Sequence, residues 1–150
     1  NTLSVCFSKG LGAPMGALLL GDRDDLAQAR RLQMMLGGTM RQVGFMAAAA
    51  LHGFKYNLPR LAEDHANARL IADLISASPG VALEPTHVQT NILYFDVVEG
   101  ADRATRLVHE LEEAGIGAWN LGSLVRLVTS LSVTREDCEY AAEQILRRLG

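Results

Sequence analysis

The strongest constraint on this chain is a change of texture at Pro79-Gly80. Before that pair, apolar residues recur mostly at helical spacing; after it, short runs of β-formers alternate with single helices. Proline lacks an amide donor and disfavours helical backbone in the residue before it, so the pair ends whatever helix precedes it. The residues beyond Gly80 read as a small α+β domain.

Within this frame, the spacing predicts a strand over Thr2 to Phe7, a glycine- and proline-rich loop over Lys9 to Pro14, and a second strand over Met15 to Leu20 that ends at Gly21-Asp22. Leu26, Ala29, Leu32 and Met35 or Leu36 predict a helix from Asp24 to Leu36, capped by Asp22 or Asp24 and stopped by Gly37-Gly38. A further helix is expected from Arg41 to Lys55. Its alanines, Ala47 to Ala50, suit close approach of a neighbour, so it is expected to be buried. Pro59 suits the first turn of a long amphipathic helix that runs to Ser78. Then come strands at Val81 to Leu83 and Thr90 to Val97, a helix from Asp102 to Ala114, and strands around Ile116 to Trp119 and Leu124 to Thr129. Thr134-Arg135-Glu136-Asp137 has a capping-box pattern and opens a last helix through Leu149.

Composition narrows the function classes. A 150-residue chain with 49% apolar content is long enough for a globular core. A net charge of -3, with the cations scattered rather than gathered in a stripe, argues against nucleic acid as a partner. Cys6 and Cys138 have neither disulfide-framework nor metal spacing, and His52, His65, His87 and His109 form no ligand motif, so no metal is expected. No apolar run approaches the ~20 residues that span a bilayer. A soluble, cytoplasmic protein is the expectation. Because the chain opens directly on strand-like residues, it also reads as the later part of something larger.

Three places suit chemistry. Lys9 is one of only two lysines, with Lys55, and lies in Lys9-Gly10-Leu11-Gly12-Ala13-Pro14 at the end of a strand. An amine becomes nucleophilic where burial or a neighbouring cation lowers its pKa, and glycines let a bulky ligand approach the backbone. The pattern is short, and it equally suits a loop lysine that points to solvent. Gly37-Gly38-Thr39-Met40-Arg41-Gln42 offers free amides and a guanidinium for a phosphate or carboxylate, or a plain helix end followed by a surface arginine. Arg126 is a charge within the apolar strand Leu124 to Thr129. It sits there either on a solvent face or as a forked donor to a substrate carboxylate.

Four segments, taken together, carry a family resemblance. CFSKGLGAPMGALLLGD, ARRLQMMLGGTMRQVGFMAAA, QTNILYFDV and VRLVTSLSVTRED resemble, in order and spacing, the C-terminal half of low-specificity threonine aldolases, which are fold type I pyridoxal phosphate enzymes of the β-eliminating lyase and threonine aldolase group. The resemblance implies an α/β, aminotransferase-like fold: the end of a large cofactor-binding domain over residues 1–57, a connecting helix over 58–80 and a C-terminal small α+β domain over 81–150. It implies that Lys9 is the Schiff-base lysine for pyridoxal 5'-phosphate, that Arg41 lies near the cofactor phosphate, and that Arg126 binds the substrate α-carboxylate.

The implied reaction is retro-aldol cleavage of threonine, allo-threonine and related β-hydroxy-α-amino acids to glycine and an aldehyde, by a homo-oligomeric lyase built as a dimer of dimers. Alternatives are an amino-acid β-eliminating lyase and a non-catalytic association module. The chain departs from the family pattern at Met34, where a lysine is usual, at Thr39, the third glycine of GGGM, and at Ser130, where the family has histidine. The family's first half supplies the phosphate loop, the ring stacked on the pyridine and the aspartate at its nitrogen. A polypeptide of these residues alone is therefore expected to be inactive.

Overall fold

The computed structural model describes residues 1–150, which form two compact units, Asn1–Arg60 and Leu61–Gly150. No helix is long and apolar enough to cross a membrane.

In the first unit, β1 (Thr2–Cys6) and β2 (Ala17–Gly21) pair antiparallel, with Val5 opposite Leu18 and Cys6 opposite Ala17. Helix α1 (Arg23–Met35) follows, and Gly37 ends it at φ +72. The Gly38 N–H donates to the Gln33 carbonyl at 2.7 Å and the Gly37 N–H to that of Met34 at 3.2 Å, the paired closure that a left-handed residue allows. Helix α2 (Gly44–Tyr56) begins three residues later than the spacing predicts. Gln42 has φ 51, which is incompatible with a helix running through it. The expected burial of α2 is also corrected. Only Ala50 and Gly53 are buried, while Phe45 and Leu51 stand 77% and 72% exposed. A helix apolar on every side does not reveal which face has a neighbour, and here only the stripe through Ala50 and Gly53 has one.

The second unit is a four-stranded antiparallel sheet with helices on one face. It contains α3 (Leu61–Ile75), β3 (Val81–Ala82), β4 (Ile92–Val97), α4 (Ala101–Glu113), β5 (Trp119–Leu121), β6 (Leu124–Val128) and α5 (Arg135–Leu149), in sheet order β3-β4-β6-β5. The helix expected to connect two domains packs here as α3, against α5 and β4. Asn57 to Arg60 form a turn closed by the Arg60 N–H on the Asn57 carbonyl at 3.0 Å, so Pro59 precedes the helix instead of occupying its first turn. A 3-10 turn at Pro85–His87, which the sequence pattern did not signal, is capped by the Glu84 side chain.

Alternation along the strands sorts the core. Leu93, Phe95 and Val97 on β4 and Val125 and Leu127 on β6 face Ile71 and Ile75 of α3, Leu107 and Leu111 of α4, and Ile145 of α5. Each such side chain contributes roughly 1.5–3 kcal/mol by leaving water. The β5 strand lies later than expected because Ile116 is used elsewhere. Its N–H closes α4 on the Leu111 carbonyl at 2.8 Å behind Gly115 at φ +79, and its side chain packs on the core.

At α5 the capping box forms as the sequence predicts. The Asp137 N–H donates to Thr134 Oγ1 at 3.1 Å, and the Thr134 N–H to the Asp137 carboxylate at 2.9 Å. The Thr134 N–H first, and then the Thr134 hydroxyl, which donates to the same carboxylate at 2.8 Å, hold the Asp137 carboxyl below its usual range. Thr134→Ala is expected to cost about 1 kcal/mol, seen as a lowered denaturation midpoint. Because the folded value of Asp137 is depressed, its contribution is present above the ordinary carboxylate range and is lost as pH falls through the depressed value. The gap between wild type and Thr134→Ala should therefore narrow in acid.

Upstream, Ser78 Oγ donates to the Leu149 carbonyl at 2.8 Å, and a Cβ at Gly80 would stand 2.5 Å from the same oxygen. The Pro-Gly break thus also seats the end of α5.

Candidate functional site

Lys9 sits in the connection between β1 and β2. The Gly12 N–H donates to the Lys9 carbonyl at 2.8 Å, with Gly12 at φ +68, and the ends of the connection are closed by Phe7 N–H to Gly16 O and Ala13 N–H to Phe7 O, both 2.9 Å. Leu11 and Ala13 are buried while Lys9 is exposed. The burial that would make the amine a better nucleophile is therefore not supplied by these residues, and the loop presents Lys9 outward.

What holds the loop is α2. Asn57 Nδ2 donates to the Leu11 carbonyl at 2.9 Å, and Gly53 lies so close that any Cβ there would collide with that oxygen. Asn57, 46 positions from Leu11, and Gly53, one helical turn before it, thus fix the turn that follows Lys9. Sequence reasoning missed both. A glycine inside an alanine-rich helix was the available signal, because in a helix interior it costs ~1 kcal/mol relative to alanine.

Beside the lysine, Cys6 Sγ lies 3.1 Å from Ser8 Oγ. The Ser8 hydroxyl, then its backbone N–H, and to a smaller extent the charge of Lys9 pull the Cys6 thiol below its ordinary range. Arg41 is exposed in the turn ahead of α2, whose N-terminus has no side-chain cap.

In the second unit, Arg126 lies on the sheet face opposite the helices, between the buried neighbours Val125 and Leu127. Its Nε is buried and has no hydrogen-bond partner. The end of β6 is tied down nearby. The Thr129 N–H donates to Asn91 O at 2.9 Å, Asn91 Nδ2 to Thr129 O at 2.9 Å, and Thr129 Oγ1 to Asp64 O at 2.6 Å. Ser130, where histidine is usual, has its Oγ 3.1 Å from Ser132 Oγ. No three His, Cys, Asp or Glu side chains are grouped so that they could hold a metal ion.

The beta-eliminating lyase family matches residues 1–98, a stretch that includes both the lysine turn and the arginine turn. The chain belongs to the beta-eliminating lyase family. Low-specificity L-threonine aldolase 1 of Arabidopsis thaliana is 36% identical over 142 residues, covering 93% of this chain and 40% of that protein. The low specificity L-threonine aldolase of Escherichia coli K12 is 38% identical over 142 residues, covering 95% and 41%. The chain therefore spans about two-fifths of the length of these relatives.

Among solved structures, Sphingomonas wittichii serine palmitoyltransferase matches with a TM-score of 0.73 at 17% identity, over 99% of this chain and 39% of that one. The Francisella tularensis 8-amino-7-oxononanoate synthase matches with a TM-score of 0.68 at 19% identity, over 96% and 44%. These likenesses show the fold, which is α/β and aminotransferase-like.

Proposed function

We propose that this chain is the lysine-bearing portion of a pyridoxal phosphate-dependent threonine aldolase. The observation that carries the reading is the placement of Lys9. One of two lysines in the chain, it is presented outward on a glycine turn that α2 clamps from behind, in a family member whose threonine aldolase relatives are 36% and 38% identical over nearly the whole chain.

The donors present fit the cofactor. Lys9 has an accessible primary amine for a covalent bond to an aldehyde carbon. Arg41, beside an uncapped helix N-terminus, suits a phosphate group, which favours such ends. When bound, the cofactor supplies the electron sink for cleavage at Cα. Arg126 then fixes the α-carboxylate through its planar fork of donors, and a fixed carboxylate sets which bond at Cα is aligned to break.

For L-threonine that bond is Cα–Cβ. The β-hydroxyl loses its proton, acetaldehyde leaves, and Cα takes up a proton to give glycine. Ser130 is too short and too weak a base to take that proton as an imidazole would. Ser130 is therefore not the proton acceptor.

A second reading, amino-acid β-elimination, is favoured by the family description itself. Product analysis on the whole polypeptide with cofactor and L-threonine separates the two. Glycine and acetaldehyde in equal amounts are expected, whereas 2-oxobutanoate and ammonia would replace the aldolase reading with the elimination reading.

The apolar side chains left open on the first unit, among them Met35, Phe45 and Leu51, support association with further chain or with a second copy, in keeping with a homo-oligomer. A cytoplasmic location is part of the same proposal.

A further inference from the structure

The helix-free face of the second unit's sheet has Arg126 near its centre, and register decides its neighbours. Arg126 of β6 is directly opposite Tyr94 of β4 on one side and Trp119 of β5 on the other. Directly opposed residues in antiparallel strands share a face, with Cβ atoms about 4.5–5.5 Å apart. The three residues therefore share one face in a single row across three strands, with Arg126 in the middle. Trp119 and Tyr94 are 54% and 45% exposed, so neither ring is consumed by the core.

The Arg126 Nε–H is buried and has no acceptor. The other arginines of low exposure in this unit are satisfied internally. Arg103 bonds the Glu110 carboxylate and the Arg148 carbonyl, and Arg148 bonds the Gln144 side chain and backbone. A covered donor without an acceptor on an otherwise open face marks a place where an acceptor is meant to arrive.

We propose that Trp119 and Tyr94 are positioning residues that wall Arg126 on both sides and so determine how tightly it takes the α-carboxylate of the amino-acid substrate. This rests on the reading of Arg126 given above. The rings act by geometry and by dryness. They restrict the guanidinium to one plane, so less freedom is lost when a carboxylate binds, and they keep water from its flanks, which strengthens the charge-assisted hydrogen bonds. Their contribution is to binding and not to bond cleavage, so it belongs in KM.

The test uses the whole, cofactor-loaded polypeptide. Trp119→Ala and Tyr94→Ala are each expected to raise KM for L-threonine about tenfold while kcat changes by less than about twofold, and Trp119→Phe, which keeps a ring, should recover most of the loss. Because Trp119 is the only tryptophan in this chain, its emission in a form whose other tryptophans are replaced by phenylalanine should shift on titration with glycine. That shift should vanish in Arg126→Ala.

If Trp119→Ala leaves KM unchanged while Arg126→Ala raises it, the walls are dispensable and this proposal falls with the carboxylate reading intact. If Arg126→Ala leaves KM unchanged, the carboxylate reading falls and takes the proposal with it. A purely structural role would lower the melting temperature of Trp119→Ala without moving KM, and that outcome also overturns the proposal.

Discussion

Lys9→Ala is expected to abolish covalent capture of pyridoxal phosphate and to lower aldolase turnover of the whole polypeptide by at least about a thousandfold, because no other group in the turn is a primary amine. Lys9 is exposed, so the melting temperature should stay put. The loss is then chemical and not a matter of stability.

The measurement is the visible absorption of lysine-bound cofactor, followed by borohydride reduction and peptide mapping of the modified lysine. Lys55 provides an internal control. It lies in the last turn of α2 with Nζ 5.2 Å from the Tyr56 ring centroid, a surface cation–π arrangement with no glycine turn around it. Lys55→Ala should leave the absorption unchanged. Persistence of the band in Lys9→Ala, or a label on the Lys55 peptide, would remove Lys9 from its assigned role.

Gly53→Ala should destabilise the first unit by about 1–3 kcal/mol, against the direction that helix propensity predicts. In an open helix interior this change would stabilise by up to ~1 kcal/mol. Here the new Cβ would collide with the Leu11 carbonyl oxygen, which is backbone and cannot swing aside, and which also accepts the Asn57 side-chain bond at 2.9 Å. Relief requires the loop to lift from α2, and that carries the turn after Lys9 with it. Slower cofactor capture is therefore expected together with a lowered denaturation midpoint. A gain in stability would show that the loop is not seated on Gly53.

The parts of the fold that were legible in the sequence are those governed by neighbours in sequence. Alternation at Thr2 to Phe7 and short apolar runs elsewhere located β1, β2, β4 and β6 to within a few residues, and the Thr134 capping box named the start of α5. The parts that were not legible depend on residues far apart. Whether α2 is buried depends on which neighbours reach it, and an alanine-rich helix advertises no face. The start of β5 was masked because Ile116 reads as a strand residue while its backbone closes α4.

For the candidate site, residue type and motif spacing were enough to single out Lys9, Arg41 and Arg126. The supports around them were not readable: the Asn57 bond to Leu11 spans 46 positions, and the flanking of Arg126 by Tyr94 and Trp119 is a matter of strand register. Alternation also left open which face Arg126 would take, and only the placement of α3, α4 and α5 on the opposite face resolves it.

The bond from Ser78 to the Leu149 carbonyl joins residues 71 apart. It sets a timetable for synthesis on the ribosome. At about 5–20 residues per second, α3 waits on the order of 4–14 s for α5, the helix that covers it. Through that interval Ile71 and Ile75 have no α5 to pack against, and the nascent chain is open to chaperones and to mispairing with its neighbours on the same message. Slow codons placed ahead of α5 would lengthen that exposure, and the yield of folded protein should fall accordingly.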